Sequence, residues 1–129
     1  MTSPDPRVAH IVNAKPRPGL RLLVLFGSRA RGDTGPNPDW DLAFLADPRF
    51  DPDALMADLA SQLASDAVDL VDLSRAGAQL RFRVARDGRV VYEAAPGEFR
   101  RFWLAAVSFW CDADPVIQRG YEGVLSRLG

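Results

Sequence analysis

Histidine and cysteine are almost missing from this sequence of 129 residues. His10 is the only histidine and Cys111 is the only cysteine. This scarcity excludes His-rich metal sites, zinc clusters and an internal disulfide, and it argues against a His-based catalytic triad. Any catalytic chemistry in the chain is therefore expected to use carboxylates, hydroxyl groups and guanidinium groups.

Long apolar runs and a strong excess of charge are also missing. No run approaches membrane-spanning length, and the first fifteen residues contain no apolar segment of the signal-peptide kind. A net charge of −1 argues against a protein that coats a polyanion. We therefore expect a soluble cytoplasmic protein with no membrane segment and no direct nucleic-acid binding.

The apolar periodicity predicts strands alternating with helices. The run Leu20–Phe26 is almost continuously apolar, which is typical of a strand covered on both faces. Further strands are predicted at 39–46, 67–73 and 89–93. Helices are predicted at about 6–13, after the Asp51-Pro52 pair, from a Ser74 cap to Arg86, through an aromatic stripe that begins at Phe99, and after Asp114-Pro115. The expected fold class is α/β of the α+β kind, with a small mixed central sheet flanked by helices and a helical C-terminal tail.

The segment GSRARGDTGPNPDWD, residues 27–41, carries the most informative chemistry. Gly27 allows the backbone to approach a ligand closely, and Ser28 adds a hydroxyl donor at the start of a short helical turn. Arg29 and Arg31 carry planar guanidinium groups that match phosphate oxygens. These residue types in this order indicate a site for phosphate groups.

Carboxylates follow at a spacing that suits a metal ion. Asp39 and Asp41 are two residues apart on a predicted strand, so they point the same way, and they repel each other unless a cation lies between them. Oxygen ligands of this kind suit Mg²⁺. The predicted strand at 67–73 adds Asp69 on one face and Asp72 on the other, and either residue could supply a third acid. A phosphate site beside a Mg²⁺ site describes a pocket for a nucleoside triphosphate.

The pattern of Gly-Ser, ten residues and then Asp-x-Asp resembles the nucleotidyltransferase superfamily related to DNA polymerase β. FGSRARGD…DWDLAF, followed by VDLVDL and LRFRVARDGRVVYE, is similar to minimal nucleotidyltransferase (MNT) domains. These are the antitoxin partners of HEPN-domain toxins in bacterial and archaeal two-gene modules. The resemblance implies a single polymerase β-like domain over 1–129, with a catalytic core at about 7–95 and C-terminal helices at about 96–129. Pro38 departs from the pattern, because such proteins commonly have serine there.

The resemblance also implies roles for individual residues. Gly27 and Ser28 would bind the β- and γ-phosphates, with Arg31 assisting. Asp39 and Asp41 would bind two Mg²⁺ ions, and Asp69 would complete the metal site near the attacking hydroxyl. Two-metal catalysis of this kind needs no covalent enzyme intermediate.

The function implied by the resemblance is that of an antitoxin that transfers AMP from ATP to a tyrosine of its HEPN toxin, an RNase. Such an enzyme would form a hetero-oligomer with the toxin. One alternative is an antitoxin that neutralises the toxin by stable binding without catalysis. Another is nucleotidyl transfer to a small molecule such as an aminoglycoside, although 129 residues leave little chain for a separate acceptor domain.

Overall fold

The computed structural model describes residues 17–32, 39–63, 65 and 67–113. Within these ranges, four strands alternate with four helices, beginning with a strand. In chain order they are β1 (Leu20–Phe26), α1 (Ser28–Arg31), β2 (Trp40–Ala46), α2 (Pro52–Leu63), β3 (Val68–Asp72), α3 (Ala78–Asp87), β4 (Arg89–Glu93) and α4 (Glu98–Ala113). The predicted α+β fold class with a mixed sheet flanked by helices is confirmed.

The strands form one sheet in the order β3-β2-β1-β4. β1 is antiparallel to both of its neighbours, whereas β2 and β3 are parallel. The end of β1 therefore meets the beginnings of β2, β3 and β4 at one end of the sheet. This end, hereafter the site end, receives the segment after β1 and the first residues of the other three strands.

Each face of the sheet is covered by helices and buries its own apolar cluster. On one face α2 packs three buried leucines against β1 and β2, namely Leu55, Leu59 and Leu63. On the other face, α3 and α4 bury Val84, Ala85, Phe102 and Ala106 against alternate residues of β1. Both faces of β1 are thus apolar, which accounts for its nearly continuous run of buried side chains.

Most of the predicted element boundaries are confirmed. β1 and β4 have the predicted limits, and β2 and β3 lie within theirs. Asp51 caps α2 as expected, since its Oδ1 accepts a hydrogen bond of 3.0 Å from the N–H of Asp53, and the helix begins at Pro52. The helices predicted at about 6–13 and after Asp114 lie outside the described residues.

The predicted start of α3 is wrong. The helix begins at Ala78, with Gly77 as its N-cap, rather than after Ser74. The backbone N–H and the hydroxyl of Ser74 both donate to Oδ1 of Asp72, at 2.9 and 2.7 Å. Ser74 therefore belongs to a turn closed by the preceding aspartate, a local arrangement that competes with helix capping.

The aromatic stripe of α4 is only partly buried. Phe102 is buried in the core, and Trp110 stacks on Phe82 of α3 with ring centroids 4.7 Å apart. Trp103 and Phe109 instead are 39% and 45% exposed, and Leu104 is 52% exposed. α4 therefore carries apolar surface that the described residues leave open. No helix among them is long and apolar enough to cross a membrane.

Candidate active site

Gly27 is the junction between β1 and α1, and its conformation requires glycine. Its φ of 75° and ψ of −156° lie in a region that residues with a Cβ essentially never occupy. A Cβ built on Gly27 would collide with Oδ2 of Asp41 and would lie only 3.1 Å from its Cγ. The absent side chain therefore allows the Asp41 carboxylate to lie directly against the backbone that follows β1.

α1 is a single turn with few hydrogen bonds of its own. The N–H of Arg31 donates to the carbonyl of Gly27 at 3.2 Å, and the N–H of Gly32 donates to that of Arg29 at 3.3 Å. Ser28, at the start of the turn, is half-buried. The guanidinium of Arg29 lies 3.5 Å from the centre of the Trp40 ring, so Arg29 packs on an aromatic face.

Asp41 and Asp69 are register partners on the parallel strands β2 and β3. Paired residues project from the same face of a sheet, so the two carboxylates lie side by side. Asp41 also lies opposite Phe26 of β1, on the face covered by α3 and α4. Asp39 immediately precedes β2 and is exposed, as is Asp69. The structure thus brings the three acids of the expected set to the site end of the sheet.

The closeness of these acids affects the ionisation of Asp41. Partial burial raises the pKa of Asp41, and the neighbouring charges of Asp69 and Asp39 raise it further. Arg83 and Arg31 act in the opposite direction without cancelling these effects. The ionised form of Asp41 is therefore less stable than that of an isolated aspartate, and a cation placed among the three acids would stabilise it.

The donor set fits Mg²⁺ that is shared with a bound nucleotide. In the described part of the chain, no three His, Cys, Asp or Glu side chains converge closely enough to enclose a metal ion by themselves. Mg²⁺ is usually held in another way, by one or two carboxylates together with water and substrate phosphates. Asp39, Asp41 and Asp69 supply hard oxygen atoms in an open arrangement, which suits a metal completed by phosphate oxygens.

Two arginines face the acids from different elements. Arg31 of α1 and Arg83 of α3 are both exposed, and the charge of each lowers the pKa of Asp41. Both also lower the pKa of Asp87, whose largest shift comes from its hydrogen bond with Arg86. The site therefore combines carboxylates with a positively charged side.

The sequence motif points to Arg31 but assigns no role to Arg83 of α3. Only the packing of α3 over the face that carries Asp69 brings Arg83 near the acids, because the two residues belong to different elements. An arginine within a helix carries no local signal of this placement.

The structure separates the two acids of β3. Asp69 lies beside Asp41. Asp72 instead accepts hydrogen bonds from Ser74, and its Oδ2 lies 3.9 Å from Nε of Arg75. Asp72 is thus engaged in the turn that follows β3. Pro38, which departs from the family pattern, lies outside the described residues.

Comparison with known proteins agrees with this arrangement. The family model described as "Polymerase beta, Nucleotidyltransferase" matches residues 9–96. The protein adenylyltransferase MntA of Aphanizomenon flos-aquae is 36% identical in an alignment 98 positions long, and the match covers 66% of this chain and 65% of that relative. The chain thus spans slightly less than two thirds of the length of this curated relative.

Two solved structures extend the likeness to almost the whole chain. A crystal structure of a toxin-antitoxin with AMP-PNP has a TM-score of 0.68 at 27% identity and covers 95% of this chain and 96% of that one. A tri-AMPylated Shewanella oneidensis HEPN toxin in complex with an MNT antitoxin gives a TM-score of 0.61 at 25% identity, covering 95% and 93%. The family model matches more than half of this chain, and the acids and the Gly-Ser turn lie at one end of the sheet. The chain therefore belongs to the polymerase β nucleotidyltransferase family.

Proposed function

We propose that this chain transfers AMP from ATP to a tyrosine of a HEPN-domain RNase toxin and so acts as its antitoxin. The observation that carries the proposal is the contact of Gly27 with Asp41, which itself is in register with Asp69. A turn suited to phosphate and a set of carboxylates thus meet at one end of the sheet. The adenylyltransferase name of the MntA relative and the complex with a tri-AMPylated HEPN toxin support the same reaction and partner.

The phosphate groups would bind at the turn after β1. The backbone N–H groups at the start of α1 would donate to phosphate oxygens, and the half-buried Ser28 offers a hydroxyl donor beside them. Arg31 is exposed and close enough to Asp41 to affect its pKa, so its guanidinium can reach the same space. Gly27, Ser28 and Arg31 would hold the β- and γ-phosphates and leave the α-phosphorus facing the acids.

The acids would hold the metal and receive the acceptor. Asp39 and Asp41 would bind two Mg²⁺ ions together with phosphate oxygens, and the exposed Asp69 would complete the metal site on the side open to a partner. When bound, the metal would lower the pKa of the attacking hydroxyl and neutralise charge on the departing pyrophosphate. Asp69 would also fix the direction from which the acceptor tyrosine approaches.

The proposed reaction is a single displacement at phosphorus. The tyrosine oxygen forms a bond to the α-phosphorus, and the bond from that phosphorus to the bridging oxygen breaks. Pyrophosphate leaves with the electron pair, and the phenolic proton passes to solvent. Because the reaction consumes ATP and the proposed partner acts on RNA, we also place the protein in the cytoplasm.

Neutralisation by binding alone is the second candidate, and one observation favours it. α4 exposes Trp103, Leu104 and Phe109, an apolar surface of the kind that often marks an interaction site. A protein that only binds the toxin, however, would not need three carboxylates beside Gly27, whose backbone conformation requires glycine. We therefore rank catalysis first.

Intact-mass measurement separates the two functions. The purified protein would be incubated with a candidate HEPN-domain toxin, ATP and Mg²⁺. We expect the partner to gain the mass of one or more AMP groups and to lose its RNase activity. EDTA and the Asp41→Asn variant should both prevent the gain. A tight, inactive complex whose partner keeps its original mass would instead establish the binding-only antitoxin.

A further inference from the structure

Arg89 links the edge strand β4 to α1. Its Nε donates a hydrogen bond to the carbonyl oxygen of Ala30, which lies 59 residues earlier in the chain. Arg89 is the first residue of β4 and lies opposite Leu25 of β1, so it stands at the site end of the sheet. The hydrogen bond therefore ties the segment immediately after β1 to the strand on its other side.

α1 depends on contacts of this kind for its position. A helix of four residues is not stable alone, and the last carbonyl groups of any helix have no partner within it. Ala30 is 2% exposed, and across residues 17–32, 39–63 and 67–113 Arg89 is the only donor to its carbonyl. Removing Arg89 would take this hydrogen bond away from the carbonyl of a buried residue, which favours a shift of the turn.

Any shift of α1 reaches the proposed phosphate site at once. Gly27 and Ser28 come just before Ala30, with only Arg29 between, and the backbone of Gly27 lies against the Asp41 carboxylate. We infer that Arg89 is a positioning residue for nucleotide binding, because by holding Ala30 it sets where Gly27 and Ser28 lie relative to Asp41. Arg89 has this role only if Gly27 and Ser28 bind the triphosphate, as in the proposed function.

Three variants test this role. Arg89→Met keeps most of the side-chain volume and removes the donor, whereas Arg89→Lys restores a charged donor group. Arg49→Met is the matched control, since Arg49 is exposed in the turn after β2 at the opposite end of the sheet. KM for ATP and kcat of AMP transfer would be measured for each, and hydrogen exchange of the amides of residues 27–32 would be followed without nucleotide.

The expected result is a selective loss of nucleotide binding. Arg89→Met should raise KM for ATP about tenfold, the effect of one lost charge-assisted hydrogen bond, with kcat within about threefold of the original. The amides of residues 27–32 should exchange faster in this variant than in the original protein. Arg89→Lys should recover most of the KM, and Arg49→Met should match the original in every measurement.

Three outcomes would overturn the role of Arg89. Unchanged amide exchange in Arg89→Met would show that Arg89 does not hold α1, and a raised KM in the same variant would then mean direct contact with the nucleotide. Faster exchange with an unchanged KM would show that the position of α1 does not control binding. If the original protein binds no ATP at all, the proposed function fails and Arg89 loses its role in nucleotide binding, while the exchange measurement still decides whether it holds α1.

Discussion

The carboxylate of Asp41 fills the space that a side chain at Gly27 would occupy. Gly27→Ala should therefore push the carboxylate away and strain the backbone as well. We expect a loss of stability of about 1–3 kcal/mol from the strain. AMP transfer should fall by at least about 100-fold, because catalysis is sensitive to displacements near 1 Å. Thermal unfolding and the rate of AMP transfer would measure the two effects.

Gly77→Ala provides the matched control for that substitution. A Cβ at Gly77 would meet nothing within 4 Å, and the φ of Gly77 is an ordinary −72°. This variant should keep the original transfer rate and lose about 0.5–1 kcal/mol of stability, because glycine is preferred to alanine at an N-cap. A Gly27→Ala variant as active as Gly77→Ala would refute the importance of the contact with Asp41.

The acids of β2 and β3 should differ sharply in their importance for AMP transfer. Asp41→Asn and Asp69→Asn should each reduce the rate at least about 100-fold, because a metal contributes several kcal/mol to this kind of transition state. Asp72→Asn should keep most of the activity, because Asp72 is engaged with Ser74. The three variants would be compared in the intact-mass assay. Equal loss in all three would place Asp72 in the site as well, whereas loss in Asp72→Asn with full activity in Asp69→Asn would contradict our assignment of Asp69.

Mg²⁺ together with a non-hydrolysable ATP analogue should stabilise the folded protein. Asp69 and Asp39 repel Asp41, and the added cation would relieve that repulsion. At ligand concentrations of about 100 times Kd, the gain should be about 2.7 kcal/mol, seen as a rise in Tm. Asp41→Asn should show a much smaller rise under the same conditions. An equal rise in both proteins would mean that the nucleotide binds without Asp41.

Glu98 should make part of the stability depend on pH. Burial raises the pKa of Glu98, but hydrogen bonds from Arg21 and Arg101 outweigh burial and leave the pKa below its ordinary value. The ionised carboxylate therefore stabilises the fold at neutral pH, and this contribution is lost as the pH falls below about 4.3. Arg21 is 45% exposed and Arg101 is 59% exposed, so solvent weakens both pairs.

Glu98→Gln tests this dependence. At pH 7 the variant should be less stable by about 1 kcal/mol, a modest figure because both arginines are partly solvated. The difference from the original protein should shrink as the pH is lowered toward 3.5, and AMP transfer at pH 7 should be unchanged. Urea unfolding at several pH values would measure it. A difference that stays constant with pH would mean that the charge of Glu98 is not responsible.

Local sequence patterns were sufficient for the strands and for one helix cap. The limits of β1 and β4 could be predicted because their apolar runs are bounded by glycine or by charged residues. The pair Asp51-Pro52 is typical of a helix start. The Gly-Ser and Asp-x-Asp motifs could be placed together because they follow and begin neighbouring strands. These are short-range features, and the structure agrees with them.

Features that depend on packing between distant segments could not be predicted. Nothing near Arg89 or Ala30 in sequence indicates that they meet, and Arg83 approaches the acids only because α3 crosses the sheet. Ser74 does not cap α3 because its N–H and hydroxyl both donate to Asp72, two residues earlier. The exposure of Trp103 likewise depends on which side of α4 faces the core.

The sheet order has a further consequence for β3. In the described sheet β3 is an outer strand, and its five residues include Asp69 and Asp72. Outer strands can pair with other molecules and aggregate, and charged side chains are a common defence against this. Asp69 can therefore serve solubility as well as chemistry, so a variant that neutralises it can precipitate for reasons unrelated to metal binding. Asp41 lies on β2, which has a neighbouring strand on each side, so its charge does not protect a sheet edge. Substitution of Asp41 is therefore the better way to disable the site.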